Sequence, residues 1–473
     1  MGPEYMNENL PGKLIVKNRI DKGILKKSII RGLCTAAALS KIKFLLSLFL
    51  IIDITIFNDL KIIADSTLSN ANNRNVQETE NNYFVDNFAF EGSNIARSPA
   101  ADNPSEAAVM HCNNADRDFA DIRWIDCSSC ALSDLSRLYG DYDNATFNED
   151  TVFPQHFDLP QRAELLMEAG KEPGLGIRKL NSQGYTGKNV GIAVIDQVLN
   201  IDHPEYSDNI RLYEEMHVLP EERCSMHGSA VVSIAVGKNC GVAPEASLYY
   251  WALNPSPTDQ AYSSVKLWSE YARVIDRIIA FNNSLPEESK IRVISISNGF
   301  AAYDYYKNMD EVNQLLEAVK RANDKNIFVL STSVNEFYDF FHSAVPFAGL
   351  QKINPLEESD NKDNYTLGKF QEEIPEIFFD SVLFPMDSRT TADYTGNTYV
   401  HYGKGGLSWV VPYIAGLYCL CVQVCPDINP QTFYDLVYST AAIVWRYDVL
   451  NGSLYRLRIA KPEEVIKCLQ FFA

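Results

Sequence analysis

Apolar runs of strand length recur through the second part of this chain, each closed by polar or turn residues. Gly191–Ile195, Ser247–Leu253, Arg292–Ser297 and Ile327–Thr332 are four such runs, and they read as strands. Helical spacing fills the stretches Val265–Asn282 and Asp310–Asn323. This alternation predicts an α/β fold, a mostly parallel sheet with helices on both faces. Two further apolar segments read as buried helices. One opens at His227 and continues through Ala230, Val231, Val232, Ile234 and Ala235, and the other runs from Trp409 to Val424.

The N-terminal region follows other patterns. Phe44–Phe57 is apolar but only fourteen residues long and is broken by Asp53, which suits a signal-peptide core or a buried helix better than a membrane span. Basic residues precede it, and Ser69-Asn70-Ala71 offers a small-x-small cleavage site. The stretch from Asp65 to Pro104 is polar and rich in Asn, as linkers are. Residues 115–139 carry a five-residue beat, from Ala115-Asp116-Arg117-Asp118-Phe119 to Cys130-Ala131-Leu132-Ser133-Asp134. That beat resembles pentapeptide-repeat coils, so a short β-solenoid is expected there. The expected division is a basic leader with an apolar segment at 1–64, a polar linker at 65–107, a small region at 108–155 and the main domain at 156–473.

Charge and cysteine content refine this picture. Residues 1–43 hold nine Lys/Arg and three Asp/Glu, a net of +6, which leaves −25 for the rest of a chain of net charge −19. An acidic body argues against nucleic-acid binding and favours plain solubility. The leader favours secretion, or membrane association through 41–64. The ten cysteines favour the cytoplasmic alternative: Cys419, Cys421 and Cys425 lie in an apolar stretch, where a thiol acts as a small hydrophobe. His111, Cys112, Cys127 and Cys130 are zinc-ligand types. Adjacent His-Cys is poor ligand spacing, however, and the beat makes Cys127 and Cys130 small interior residues, so no metal site is assigned.

Three segments carry chemistry. Asp196 ends a buried strand, His227 opens an apolar helix, and Ser408 follows Gly405-Gly406-Leu407 at the start of another. A serine nucleophile needs a base, and the base needs a third group to hold its tautomer. The Asp-to-His and His-to-Ser intervals are 31 and 181 residues; the subtilisin order has about 32 and about 157. The excess has a host in the stretch from Glu336 to Gly403, which includes the charged run Glu357–Asp363.

With the flanking phrases Gly184–Val190, Asp202-His203-Pro204, Gly241-Val242-Ala243-Pro244 and Trp409–Gly416, the chain resembles the subtilisin-like serine peptidases, or subtilases. The resemblance runs from near Gly174 to near Ala473. It implies a serine endopeptidase acting on proteins or peptides, with Asp196, His227 and Ser408 as triad and no required cofactor. It also implies Asn335 as oxyanion donor and Ser297-Asn298-Gly299 as the segment that pairs with substrate backbone. Calcium often stabilises the family, but no ligand set transfers to this sequence. The chain departs from the family pattern at Gln197-Val198, Ala230, Leu407 and Tyr413, and Asn335 lacks its preceding glycine. These departures mark a divergent branch and keep a pseudopeptidase, or a binding protein on the same fold, as the alternative. A processing peptidase for one precursor is a third reading. The region before Gly174 is either a propeptide or a docking domain. Cys224, three residues before His227, is a candidate for thiol-sensitive activity.

Overall fold

The computed structural model describes residues 121–128, 144–155, 158–219, 222–254, 267–299, 309–332, 347–368, 381–448 and 452–471. In chain order, β1 (Thr146–Asn148) precedes α1 (Leu159–Lys171) and α2 (Ile177–Ser182). Next come β2 (Gly191–Asp196), β3 (Ile210–Met216), α3 (Met226–Val236), β4 (Ser247–Leu253), α4 (Trp268–Ser284), β5 (Ile291–Ile296), α5 (Met309–Asn323) and β6 (Phe328–Ser331). The strands β7 (Phe347–Lys352), β8 (Tyr365–Leu367), β9 (Val382–Pro385), β10 (Arg389–Ala392) and β11 (Tyr399–Tyr402) follow. The chain then forms α6 (Leu407–Val424), α7 (Pro430–Thr440), the hairpin β12 (Ala442–Asp448) and β13 (Ser453–Ile459), and α8 (Pro462–Gln470).

The expected parallel sheet has the order β3-β4-β2-β5-β6, and every neighbouring pair runs parallel. β2, β4, β5 and β6 are buried on both faces, which is why they read as nearly continuous apolar runs, whereas the edge strand β3 is only partly buried. Ile192, Val194, Leu248, Tyr250 and Val293 point to the side holding α3 and α6. Ala193, Ile195, Tyr249, Trp251, Ile294 and Ile296 point to α4 and α5. Helices thus cover both faces, as the alternation of elements requires.

Two further sheets complete the described region. One, of order β12-β13-β9-β7-β8, mixes parallel and antiparallel pairs; the other, β1-β11-β10, is antiparallel. Of the five-residue beat, residues 121–128 make only isolated parallel bridges, Asp121 to Thr146 and Asp126 to Val152. The rest of the beat, and with it the expected solenoid, lies outside the described residues. Ile122, Ile125 and Cys127 share a core with Phe147, Phe153, Leu159, Leu166 and Met167. Packing therefore crosses the 155/156 division. The leader, its apolar segment at 41–64 and the linker also lie outside the described residues.

Among the described residues, α6 is long and apolar enough to cross a membrane by length and composition alone. All of Trp409–Val422 is buried inside the fold, so its apolarity is that of a core helix.

Candidate active site

The carboxyl ends of the parallel strands are where α/β sheets of this kind gather reactive groups. Asp196 is the last residue of β2, the central strand, and its side chain is only 4% exposed. Its Oδ1 accepts the backbone N–H of Gln197 at 2.8 Å and the His227 Nδ1 proton at 2.8 Å. The carboxylate fixes the tautomer: with Nδ1 as donor, Nε2 is the basic nitrogen of the ring.

His227 is the second residue of α3, and the helix cap holds it in place. Ser225 is the N-cap, and its Oγ accepts the His227 backbone N–H at 3.0 Å. Ser225 is tied to the loop after Asp196 twice, by its N–H to Val198 O at 2.8 Å and by its hydroxyl to Gln197 Oε1. The buried Tyr250 hydroxyl donates to Gln197 O. Burial pushes the Tyr250 pKa upward, so the phenol stays a donor. Gln197, which stands where the family pattern differs, thus bolts the Asp loop to the His helix. From sequence, a serine two residues before an apolar helical run was a usable cap signal; the Gln197 link required the fold.

Ser408 lies in the first turn of α6, whose N-cap is Gly406, among backbone N–H groups that no helical carbonyl satisfies. The approach is tight. A Cβ on Gly405 would lie 2.3 Å from Met386 O, and Gly405 N donates to buried Asp387 Oδ1 at 2.5 Å. The Ser408 hydroxyl donates to Ser297 O at 3.0 Å, and the Ser297 hydroxyl donates to Ser408 O at 2.8 Å. This reciprocal clasp joins the end of β5 to the start of α6. Trp409 sets its ring 5.7 Å from the His227 ring, at 60°, and meets Tyr402 edge-on at 5.4 Å. Neither Asp387 nor Trp409 was singled out by sequence reasoning.

Of the proposed substrate segment, Ser297 is therefore engaged with Ser408. Asn298 Nδ2 donates to the Tyr271 hydroxyl at 2.6 Å, and its carbonyl accepts Thr332 N at 3.1 Å. Gly299 N donates to Asn298 Oδ1 at 3.0 Å. Asn335 lies outside the described residues. Cys224 is buried in the core beneath α3. Among the described residues, no group of three or more His, Cys, Asp or Glu could hold a metal ion.

The Subtilase family model matches residues 187–355 of this chain, a span that includes Asp196 and His227 and ends before Ser408. Subtilisin-like protease PopC of Myxococcus xanthus is 22% identical over 292 residues, covering 56% of this chain and 58% of PopC. Subtilisin amylosacchariticus of Bacillus subtilis subsp. amylosacchariticus is 35% identical over 276 residues, covering 55% of this chain and 63% of the relative. The chain thus spans less than two thirds of either relative. Among solved structures, the prenylagaramide maturation protease PagA is 15% identical, with a TM-score of 0.43, over 62% of this chain and 98% of PagA.

Proposed function

We propose that this chain, a divergent relative of the subtilisin-like peptidases, is a serine endopeptidase working through an Asp196–His227–Ser408 triad. The observation that carries the reading is the 2.8 Å contact of Asp196 Oδ1 with His227 Nδ1, made at the end of the parallel sheet that also receives the first turn of the Ser408 helix. In this reading Ser408 turns its hydroxyl from Ser297 O to the imidazole. His227 takes the proton as Ser408 Oγ attacks the scissile carbonyl, and a tetrahedral intermediate forms. The intermediate collapses to an acyl-enzyme as His227 returns the proton to the leaving amine, and water then reverses the sequence.

The backbone N–H of Ser408, at a helix N-terminus, is suited to hold the oxyanion. Asn335 is proposed as its partner, and Asn335→Ala should then cost about 2.7–4 kcal/mol in transition-state stabilisation. The segment Ser297–Gly299 is proposed to pair with an extended substrate. Substrates are proteins or peptides, and the steps as written use no cofactor.

The test is labelling of the purified full chain with a fluorophosphonate probe, beside Ser408→Ala, with intact mass recorded for both. Labelling of the wild type alone is expected. Absence of labelling in folded wild-type protein, and in a folded chain shortened to begin at residue 120, would favour the non-catalytic alternative. The Ser408-to-Ser297 hydrogen bond is the observation that keeps this alternative worth testing.

A further inference from the structure

A buried guanidinium is costly unless acceptors and opposite charge meet it. Arg389, the first residue of β10, is 1% exposed. Its Nη2 donates to Cys240 O at 3.2 Å, while Nε and Nη1, both interior, meet no acceptor among the described residues. A second buried cation stands near it. Lys352, the last residue of β7, is 4% exposed, and its Nζ reaches only the carbonyls of Ala169 and Pro355, at 3.4 and 3.5 Å. Burial, and then the charge of Arg389, push the Lys352 pKa down to about 8, so the ammonium still carries its proton at neutral pH.

The groups that act most strongly on Arg389 are Cys240, Tyr413, Tyr365 and Arg178, and none of these is a carboxylate. Burial raises the Cys240 thiol and both phenols, so all three are neutral near pH 7. The Tyr413 and Tyr365 hydroxyl protons already go to Gly174 O and Ser359 O. The carboxylates that act on Lys352 are Glu172 and Asp360. Glu172 pairs with Arg178 at 3.4 Å, and Asp360 Oδ1 accepts Gly176 N at 2.7 Å.

We propose that the interior around Arg389 and Lys352 is a binding site for a small monovalent anion of the halide class, seated on the Nε–Nη1 edge of Arg389. Water would satisfy the two orphaned donors but would not offset the repulsion between the two cations. An anion does both. It would stabilise the folded chain by mass action, because the unfolded chain has no such site.

Urea unfolding of the full chain, followed across chloride–gluconate mixtures at fixed ionic strength, tests this. The midpoint should rise saturably with chloride, and bromide should replace chloride. The rise should be absent in Arg389→Met and kept in Arg321→Met, whose arginine is half exposed and pairs with Asp276. Crystals grown in bromide should show anomalous density at Arg389 Nε and Nη1. If Arg389→Met does not fold, the wild-type titration and the bromide density decide between them. A midpoint indifferent to halide, with no bromide at Arg389, means water alone and overturns the proposal. Bromide density without any change in midpoint means an adventitious ion only, and overturns it equally.

Discussion

The His227 imidazole is held at Nδ1 by Asp196 and through its own backbone N–H by the Ser225 hydroxyl. Each hold has a separable consequence. Asp196→Asn keeps the volume but removes the charge that selects the Nδ1–H tautomer, so probe labelling of Ser408 should slow on the order of 10⁴-fold while the fold persists. Rates of labelling and a far-ultraviolet spectrum check both halves; an unchanged rate would remove Asp196 from the proposed triad. Ser225→Ala removes the cap of α3 and its link to Gln197. It should cost about 1 kcal/mol in urea unfolding and slow labelling, and Ser225→Thr should restore most of both.

At the scale of elements, the site depends on two buried helices that cross closely. Gly416 of α6 leaves no room for a larger residue: a Cβ there would lie 2.7 Å from Val242 Cβ and 3.0 Å from the Ala235 carbonyl of α3. Because α3 carries His227 and α6 carries Ser408, this crossing sets the relation between the proposed base and the proposed nucleophile. Gly416→Val should therefore destabilise by about 1–3 kcal/mol through overpacking, with a larger proportional loss of probe labelling than of folded protein. Measuring both on one preparation separates a shifted crossing from simple unfolding. Equal losses would mean that the two helices move as one unit.

For the molecule as a whole, residues 121–128 and 144–155 are structural partners of the main domain. β1 is the edge of the β1-β11-β10 sheet, and Phe147, 1% exposed, sits between Phe153 and His401 with ring centroids 5.4 and 5.0 Å away. Phe147→Ala should cost about 3–5 kcal/mol. A chain starting at 156 should unfold at lower urea than one starting at 120; equal midpoints would show the segment to be dispensable. Two buried histidines of the main domain should contribute to acid stability. Burial, then the charge of Lys352, lowers the His401 pKa from 6.5 to about 3. His203 is also lowered by burial, and it sits as a neutral ring accepting Glu205 N at Nδ1 and donating from Nε2 to Thr398 O. A depressed folded-state pKa means that the unfolded chain takes up protons first. The stability is fully present above about 6.5 and is lost as pH falls towards 3. His401→Gln should flatten that slope in urea unfolding measured from pH 7 to pH 4, and an unaltered slope would assign it to other groups.

How much was legible in advance follows from what is local. Strands at 191–196 and 247–253, helices opening at His227 and Ser408, and Asp196 at a strand end are all properties of nearest neighbours along the chain, so apolar spacing and capping residues disclosed them. The Asp, His, Ser order is likewise linear information. What the sequence could not disclose is pairing between distant segments. The β12-β13-β9-β7-β8 sheet, the clasp between Ser297 and Ser408, the Gln197 link to Ser225 and the burial of Arg389 and Lys352 each join residues many positions apart. A polar side chain reads as a surface residue until its neighbours are known. Only closure of the tertiary structure, by excluding water, turns Arg389 into a buried guanidinium with two unmet donors and Trp409 into a wall of the site.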